Sequence, residues 1–248
     1  MRILKDRHIS ILWAFIVVLA VAPAFGARAS AYLEMMWEGG AAFASIILDE
    51  SIHRFEEAIV DIEIDEYQGE RLGSVEDFRE NSIRGVQEID IATYRLEIDG
   101  LVEEPATLTY DELQALPHVE KLVTIDCVEG WSVTALWGGV PLASLLDGVT
   151  PQAEANTVIF HAYDGYTTSL PLDVVLGRDL IIADFINGIR LPPANGFPFQ
   201  LVAEDKWGYK WIRWLTRIEL SDNPTYQGYW EQRGYSNTGD ADGPMFGD

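Results

Sequence analysis

Cysteine is almost absent from this chain: Cys127 is the only one in 248 residues. A single thiol excludes an internal disulfide, a cysteine-held iron–sulfur cluster and a CxxCH haem attachment. Lysine is nearly as scarce, with Lys5, Lys121, Lys206 and Lys210 the only ones among 17 basic residues. These face 40 acidic residues, for a formal charge of −23. A phosphate backbone is bound mainly through lysine and arginine, so the balance argues against nucleic acid as a partner. Familiar catalytic signatures are missing too: no GxGxxG follows a strand, and neither GxxxxGK[ST] nor GxSxG occurs. The four histidines, His8, His53, His118 and His161, lack the spacing of a zinc site. Apolar residues, by contrast, make up 48% of the chain, enough to fill a core and exclude global disorder. The length suits one domain with additional segments.

The first of these segments is N-terminal. Arg2, Lys5 and Arg7 precede an uncharged apolar run of 18 residues from Ile9 to Gly26, followed by the small residues Ala27-Arg28-Ala29-Ser30-Ala31. Residues 1–31 therefore read as a signal peptide or an uncleaved membrane anchor, with the positive flank held in the cytoplasm and the remainder sent outward. Tyr32–Leu48 is apolar but carries Glu34 and Glu38, which suits a helix against the domain or the membrane surface better than a span. Residues 49–90 hold 14 acidic residues against 4 arginines and read as a solvated lead-in.

From about Tyr94 the pattern changes to short strands and turns. Asp99-Gly100, Asp164-Gly165 and Asn187-Gly188 each follow an alternating or apolar run and predict hairpins. Thr109-Tyr110-Asp111-Glu112 is a capping box for a short helix ending at Pro117, and Pro141 opens a second helix that closes near Gly148. Strands are expected over Leu122–Cys127, Phe199–Ala203 and Trp211–Leu220. No regular βαβ alternation is present, so the fold class is α+β, mixed strands with short inserted helices.

Two features bear on chemistry. Cys127 shares a strand face with Val123 and Ile125, the setting of a small buried hydrophobe, yet it ends its strand beside Glu129-Gly130-Trp131, where a thiolate can reach a metal or substrate. Lys206, Lys210, Arg213 and Arg217 fall within 12 residues that contain no acid. In an alternating strand Arg213 and Arg217 would share a face, serving either as an ordinary solvent face or as an anion site for a phosphorylated cofactor.

Cys127-Val128-Glu129-Gly130-Trp131-Ser132, continuing through Trp137-Gly138-Gly139-Val140-Pro141-Leu142, resembles the metal-binding segment of the sulfite oxidase family of molybdopterin enzymes. Asp164-Gly165-Tyr166-Thr167-Thr168, Asn195-Gly196-Phe197-Pro198 and Lys206-Trp207-Gly208-Tyr209-Lys210-Trp211-Ile212-Arg213 agree in the same order. Within that family the chain is most similar to the periplasmic protein-methionine-sulfoxide reductases. The resemblance covers residues 80–240 and implies a sulfite-oxidase-type domain over 81–248, behind a helical and acidic lead-in over 32–80. It implies a molybdenum–molybdopterin cofactor with Cys127 as metal ligand and Glu129 as a carboxylate near the metal. Asn81, Arg84, His161, Asn195, Lys210, Trp211, Ile212 and Arg213 are implied to form the cofactor shell. The reaction implied is oxygen-atom transfer from a small-molecule or protein-bound sulfoxide, outside the cytoplasm. A sulfite dehydrogenase and a cofactor-free tethered binding domain are the alternatives.

Some positions depart from the family pattern. The reductases carry an arginine where Gln200 stands, which weakens one expected phosphate contact. No Arg-Arg pair precedes the apolar run, which separates the chain from relatives exported by the twin-arginine route. With neither haem nor flavin motif, electrons are expected to come from a separate electron-transfer protein, a membrane haem protein being one candidate.

Overall fold

Asn187 and Gly188 sit at φ 49° and 79°, the left-handed pair that a two-residue hairpin turn needs to match the twist of its strands. The strands they join belong to a set described, in a computed structural model, over residues 63–247. The N-terminal apolar run, the helix expected over 32–48 and the first part of the acidic lead-in lie outside the described residues.

In chain order the strands are β1 (Glu66–Tyr67), β2 (Glu70–Arg71), β3 (Arg95–Gly100) and β4 (Ala106–Thr109). Then follow β5 (Val119–Asp126), β6 (Ser132–Pro141), β7 (Thr157–Ala162) and β8 (Thr167–Pro171). The last four are β9 (Ile181–Ile186), β10 (Ile189–Arg190), β11 (Gln200–Val202) and β12 (Leu215–Ser221). Three short helices interrupt them: α1 (Tyr110–Gln114), α2 (Leu142–Val149) and α3 (Leu172–Gly177).

Sequence chemistry accounts for these helices. Thr109 caps α1 by accepting from the Glu112 N–H at 3.2 Å, while the Glu112 carboxylate accepts from the Thr109 N–H at 2.8 Å. Pro141 and Pro171 stand at the N-caps of α2 and α3 and turn strand directly into helix. The buried residues of α2, Leu142, Leu145, Leu146 and Val149, form the single apolar stripe of a core-facing helix.

Two five-stranded sheets result. In one, β10-β9-β6-β5 are neighbours, with β11 sharing the β10 side of β9. The order in the other is β4-β3-β12-β7-β8, antiparallel except where β12 runs parallel to β3. Residues of both sheets join one apolar core that includes Leu96, Phe160, Ile182 and Ile218. Trp137 is wholly buried in it, edge-on to Phe78 at 5.7 Å and packed on Trp211 at 5.6 Å. The α+β reading agrees with this arrangement of mixed strands and inserted helices.

The hairpins at Asp164-Gly165 and Asn187-Gly188 form where expected. Asp99-Gly100 does not make a two-residue hairpin. Both residues lie in β3, and the connection to β4 spans 101–105. Gly100, at φ 82°, instead bends the strand where a side chain would run into the Leu220 carbonyl of the parallel partner. The strand expected over Trp211–Leu220 begins only at Leu215. A 3-10 turn over Gly208–Lys210 and Trp214 at φ 52° break the alternation before it.

Candidate functional site

β5 delivers Cys127. Along it Val123, Ile125 and Cys127 are buried while Thr124 is exposed, as the alternation predicts. Just past the strand, Cys127 N–H donates to the Trp131 carbonyl at 2.9 Å and Gly130 N–H donates to the Cys127 carbonyl at 2.9 Å, closing a tight turn. Cys127 is therefore both a core-face residue and a residue of the turn.

Its thiol opens onto a cavity of about 120 Å³. Burial pushes the thiol pKa up, a backbone hydrogen bond from Glu129 pulls it down, the Glu129 carboxylate raises it again, and Arg213 and Arg79 lower it. Glu129 also lines the cavity, exposed at its mouth, with its carboxylate accepting from the Trp131 indole N–H at 3.2 Å.

Arg213 lines the same cavity, one residue before the left-handed Trp214. Trp214 N–H donates to the Gly196 carbonyl at 3.2 Å and its indole N–H to the Pro193 carbonyl at 2.8 Å, stacking this segment on the 3-10 turn Pro193–Asn195. One guanidinium nitrogen, Nη2, donates to the Arg79 carbonyl at 3.3 Å; the other, Nη1, is shut off from solvent with no partner. Desolvation lowers the Arg213 pKa, with Glu80 and Cys127 opposing it. Trp211 and Ile212 line the cavity too, and the Trp211 indole donates to the Lys206 carbonyl at 2.9 Å.

Of the residues named from the sequence, Cys127, Glu129, Asn81, Trp211, Ile212 and Arg213 thus meet at one cavity. Asn195 is buried off the cavity lining, donating to the Val75 carbonyl at 3.4 Å, and Arg84 is exposed beside the Gly165 turn. His161 lies elsewhere, on β7, bonded to Glu219 at 2.8 Å within a cluster that includes Arg217 and Asp99. Lys210 is also off the cavity lining, wholly buried, donating to Glu231 at 2.6 Å and to the Ser169 carbonyl at 3.1 Å. The basic island is thereby dispersed. Lys206 pairs with Asp240 at 2.6 Å and Arg217 with Asp99 at 2.9 Å, so only Arg213 of the four lines the cavity. Broken alternation accounts for the separation of Arg213 from Arg217.

Sequence reasoning missed Ser82, Asp164 as an individual residue, Trp230 and Tyr235, all of which line the cavity. The dense aromatic residues of 226–235 were a usable signal for the last two. Among the described residues no three His, Cys, Asp or Glu side chains converge on a metal position. Cys127 accordingly stands as a lone sulfur donor, suited to a metal that brings its remaining ligands with it.

A family profile described as the oxidoreductase molybdopterin binding domain matches residues 83–230. A protein of Azospira oryzae with the provisional name protein-methionine-sulfoxide reductase subunit YedZ1 is 37% identical over 61% of this chain and 57% of its own. The protein-methionine-sulfoxide reductase catalytic subunit MsrP of Gluconobacter oxydans is 34% identical over 52% of this chain and 47% of its own. An uncharacterised oxidoreductase of Bacillus subtilis, YuiH, is 35% identical over 61% of this chain and 76% of its own. The chain therefore spans about half the length of the two named reductase relatives. Among solved structures, the sulfane dehydrogenase SoxCD of Paracoccus pantotrophus superposes with a TM-score of 0.54 at 26% identity, covering 56% of this chain and 41% of that one.

Proposed function

This chain belongs to the oxidoreductase molybdopterin binding domain family, and from that premise we propose that it is the catalytic part of a molybdenum enzyme that reduces a sulfoxide-type substrate. The observation that carries this reading is the convergence of Cys127 and Arg213 on one cavity. The donor set fits a phosphorylated pterin carrying molybdenum. Cys127 offers a soft sulfur, Arg213 a buried N–H that lacks an acceptor, and Trp131 and Trp211 flat rings beside them. In this reading Cys127 binds the metal, Arg213 neutralises the phosphate, and Asn81, Trp211 and Ile212 shape the pterin's surroundings. Asn195 belongs to the 3-10 turn whose next residue, Gly196, packs against Arg213. Lys210 and His161 act in the fold around the site, and Arg84 borders it at the Gly165 turn.

The chemistry such a group supplies when bound is transfer of an oxygen atom with two electrons. Reducing a sulfoxide to a sulfide also consumes two protons and releases water. Glu129, exposed at the mouth and held by the Trp131 indole, is placed to pass protons inward from solvent. The electrons come from a separate electron-transfer protein.

The names of the Azospira and Gluconobacter relatives support sulfoxide reduction as the direction. Placement outside the cytoplasm is supported by Arg2, Lys5 and Arg7 before the apolar run. We take residues 1–31 as leader or anchor, 32–80 as lead-in and 81–248 as the oxidoreductase domain. A reporter fused near residue 60 should be active only if it is of the exported-side kind; activity of a cytoplasm-only reporter would refute that placement.

The central test is elemental molybdenum and pterin content of the purified protein, with sulfoxide turnover, in the parent and in Cys127→Ser. The parent should carry both components. The serine variant is close to isosteric, so it should fold, yet lose turnover. A Cys127→Ser protein with parental metal content and parental turnover would return this residue to a packing role and remove the reading.

A further inference from the structure

We propose that the Ser82 hydroxyl acts with Arg213 to hold an anionic oxygen of the bound cofactor's phosphate, which makes residues 79–82 a clasp on the cofactor. This inference rests on the functional reading above. Of the described residues that line the cavity, only Ser82 and Arg213 carry a buried side-chain nitrogen or oxygen with no hydrogen-bond partner. Buried polar groups are nearly always bonded, so two unmet donors in one small cavity point to an acceptor that belongs there. A hydroxyl and a guanidinium N–H both donate, and the acceptor they jointly suit is an oxyanion.

The two donors are also tied to one another through the chain. Arg213 Nη2 donates to the Arg79 carbonyl, three residues before Ser82. Ser82 N–H in turn donates to the Glu80 carboxylate at 2.7 Å, which fixes the backbone that carries the hydroxyl. Glu80 also faces Arg213 electrostatically and offsets part of its charge, so the phosphate depends on neutral donors as well as on the guanidinium. Ser82 stands one residue before the span matched by the family, 83–230, so the clasp straddles the junction of lead-in and domain.

The test uses the full-length, cofactor-loaded protein and its Ser82→Ala and Ser82→Thr variants. Pterin release after dilution is followed by the fluorescence of the oxidised pterin, and inorganic phosphate binding is measured on the apoprotein. Loss of one charge-assisted bond should speed release and weaken phosphate binding by about tenfold or more in Ser82→Ala. Ser82→Thr keeps the hydroxyl and should stay close to the parent. Apoprotein melting should not change, because the hydroxyl bonds to nothing within the described fold. Parental release and phosphate affinity in Ser82→Ala would overturn the proposal, as would apoprotein melting that falls in step with the loaded form. A loaded parent together with an unaffected Ser82→Ala variant removes this inference alone. A parent that purifies without pterin removes the functional reading and the clasp with it.

Discussion

His118 and Asp184 face each other across a position that must hold a proton. His118 Nδ1 lies 2.8 Å from the Leu116 carbonyl, which only accepts, so this nitrogen carries the ring hydrogen. Nε2 then faces Asp184 Oδ1 at 3.2 Å, and two lone pairs would oppose one another unless one partner is protonated. Asp184 is wholly buried and takes a further bond from Gln114 Nε2 at 2.5 Å. Tyr110, Asp111 and Arg190 are the other charged or titratable groups of the cluster.

Burial raises the Asp184 pKa, with the Gln114 bond and the His118 charge opposing it. A carboxyl whose folded pKa lies above its unfolded value contributes stability that is complete below the ordinary carboxylate pKa of about 4 and is lost as pH rises through the folded value. Asp184→Asn never ionises and should lack this slope. The melting temperature of the parent minus that of Asp184→Asn should therefore fall as pH rises from about 4 to 8. Calorimetry across that range decides it, and a pH-independent difference would show that Asp184 does not titrate as the geometry requires.

Arg213→Ala should empty the site without unfolding the protein. The side chain makes one described hydrogen bond inside the fold, to the Arg79 carbonyl, whereas a bound phosphate would take charge-assisted bonds worth about 1.5–3 kcal/mol each. Molybdenum and pterin content should drop while far-ultraviolet circular dichroism stays parental. Full occupancy in the variant would place the phosphate elsewhere.

Glu231→Ala should be among the most damaging single changes outside the cavity. The Lys210 ammonium and the Glu231 carboxylate are both buried and 2.6 Å apart, and Thr168 donates to the same carboxylate oxygen at 2.6 Å. Removing one partner of a buried pair costs about 3–5 kcal/mol, because the remaining charge stays desolvated. Replacing both by apolar residues, Lys210→Met with Glu231→Leu, should recover most of that loss. Denaturant unfolding of the three variants measures it, and a loss below about 1 kcal/mol in Glu231→Ala would mark the pair as weakly coupled.

How far the sequence could be read differs from residue to residue. Asn187-Gly188 and the Thr109 capping box are local signals, settled by the φ preference and hydrogen-bonding capacity of residues next to one another, and both were legible. Cys127 was legible twice over, as a core-face residue and as a strand end. The basic island was not. Its lysines find their carboxylates on Asp240 and Glu231, far along the chain, and no spacing rule announces such partners. Gly100 gave a hairpin signal because a left-handed glycine suits a turn, but the neighbour that demands glycine there is Leu220. Ser82 was hidden by its setting, since an acidic, weakly apolar lead-in reads as solvated until its backbone is seen against Arg213.

The position of β12 governs the order in which the molecule can be made. It sits between β3 and β7, with Glu97 and Arg217 in register, yet it comes last in chain order among the described strands. Until it emerges, the β3–β4 and β7–β8 hairpins each present an unpaired inner edge, the kind of template that recruits other chains. The Cys127 turn is complete long before Arg213, just ahead of that strand, has been added. Nascent chains are therefore expected to expose half a site and two sticky edges together, so that cofactor insertion follows the addition of Arg213 and cannot guide early folding. Chains stopped before residue 215 should accordingly sediment with aggregates and carry no pterin, however much of the family's matched span they contain.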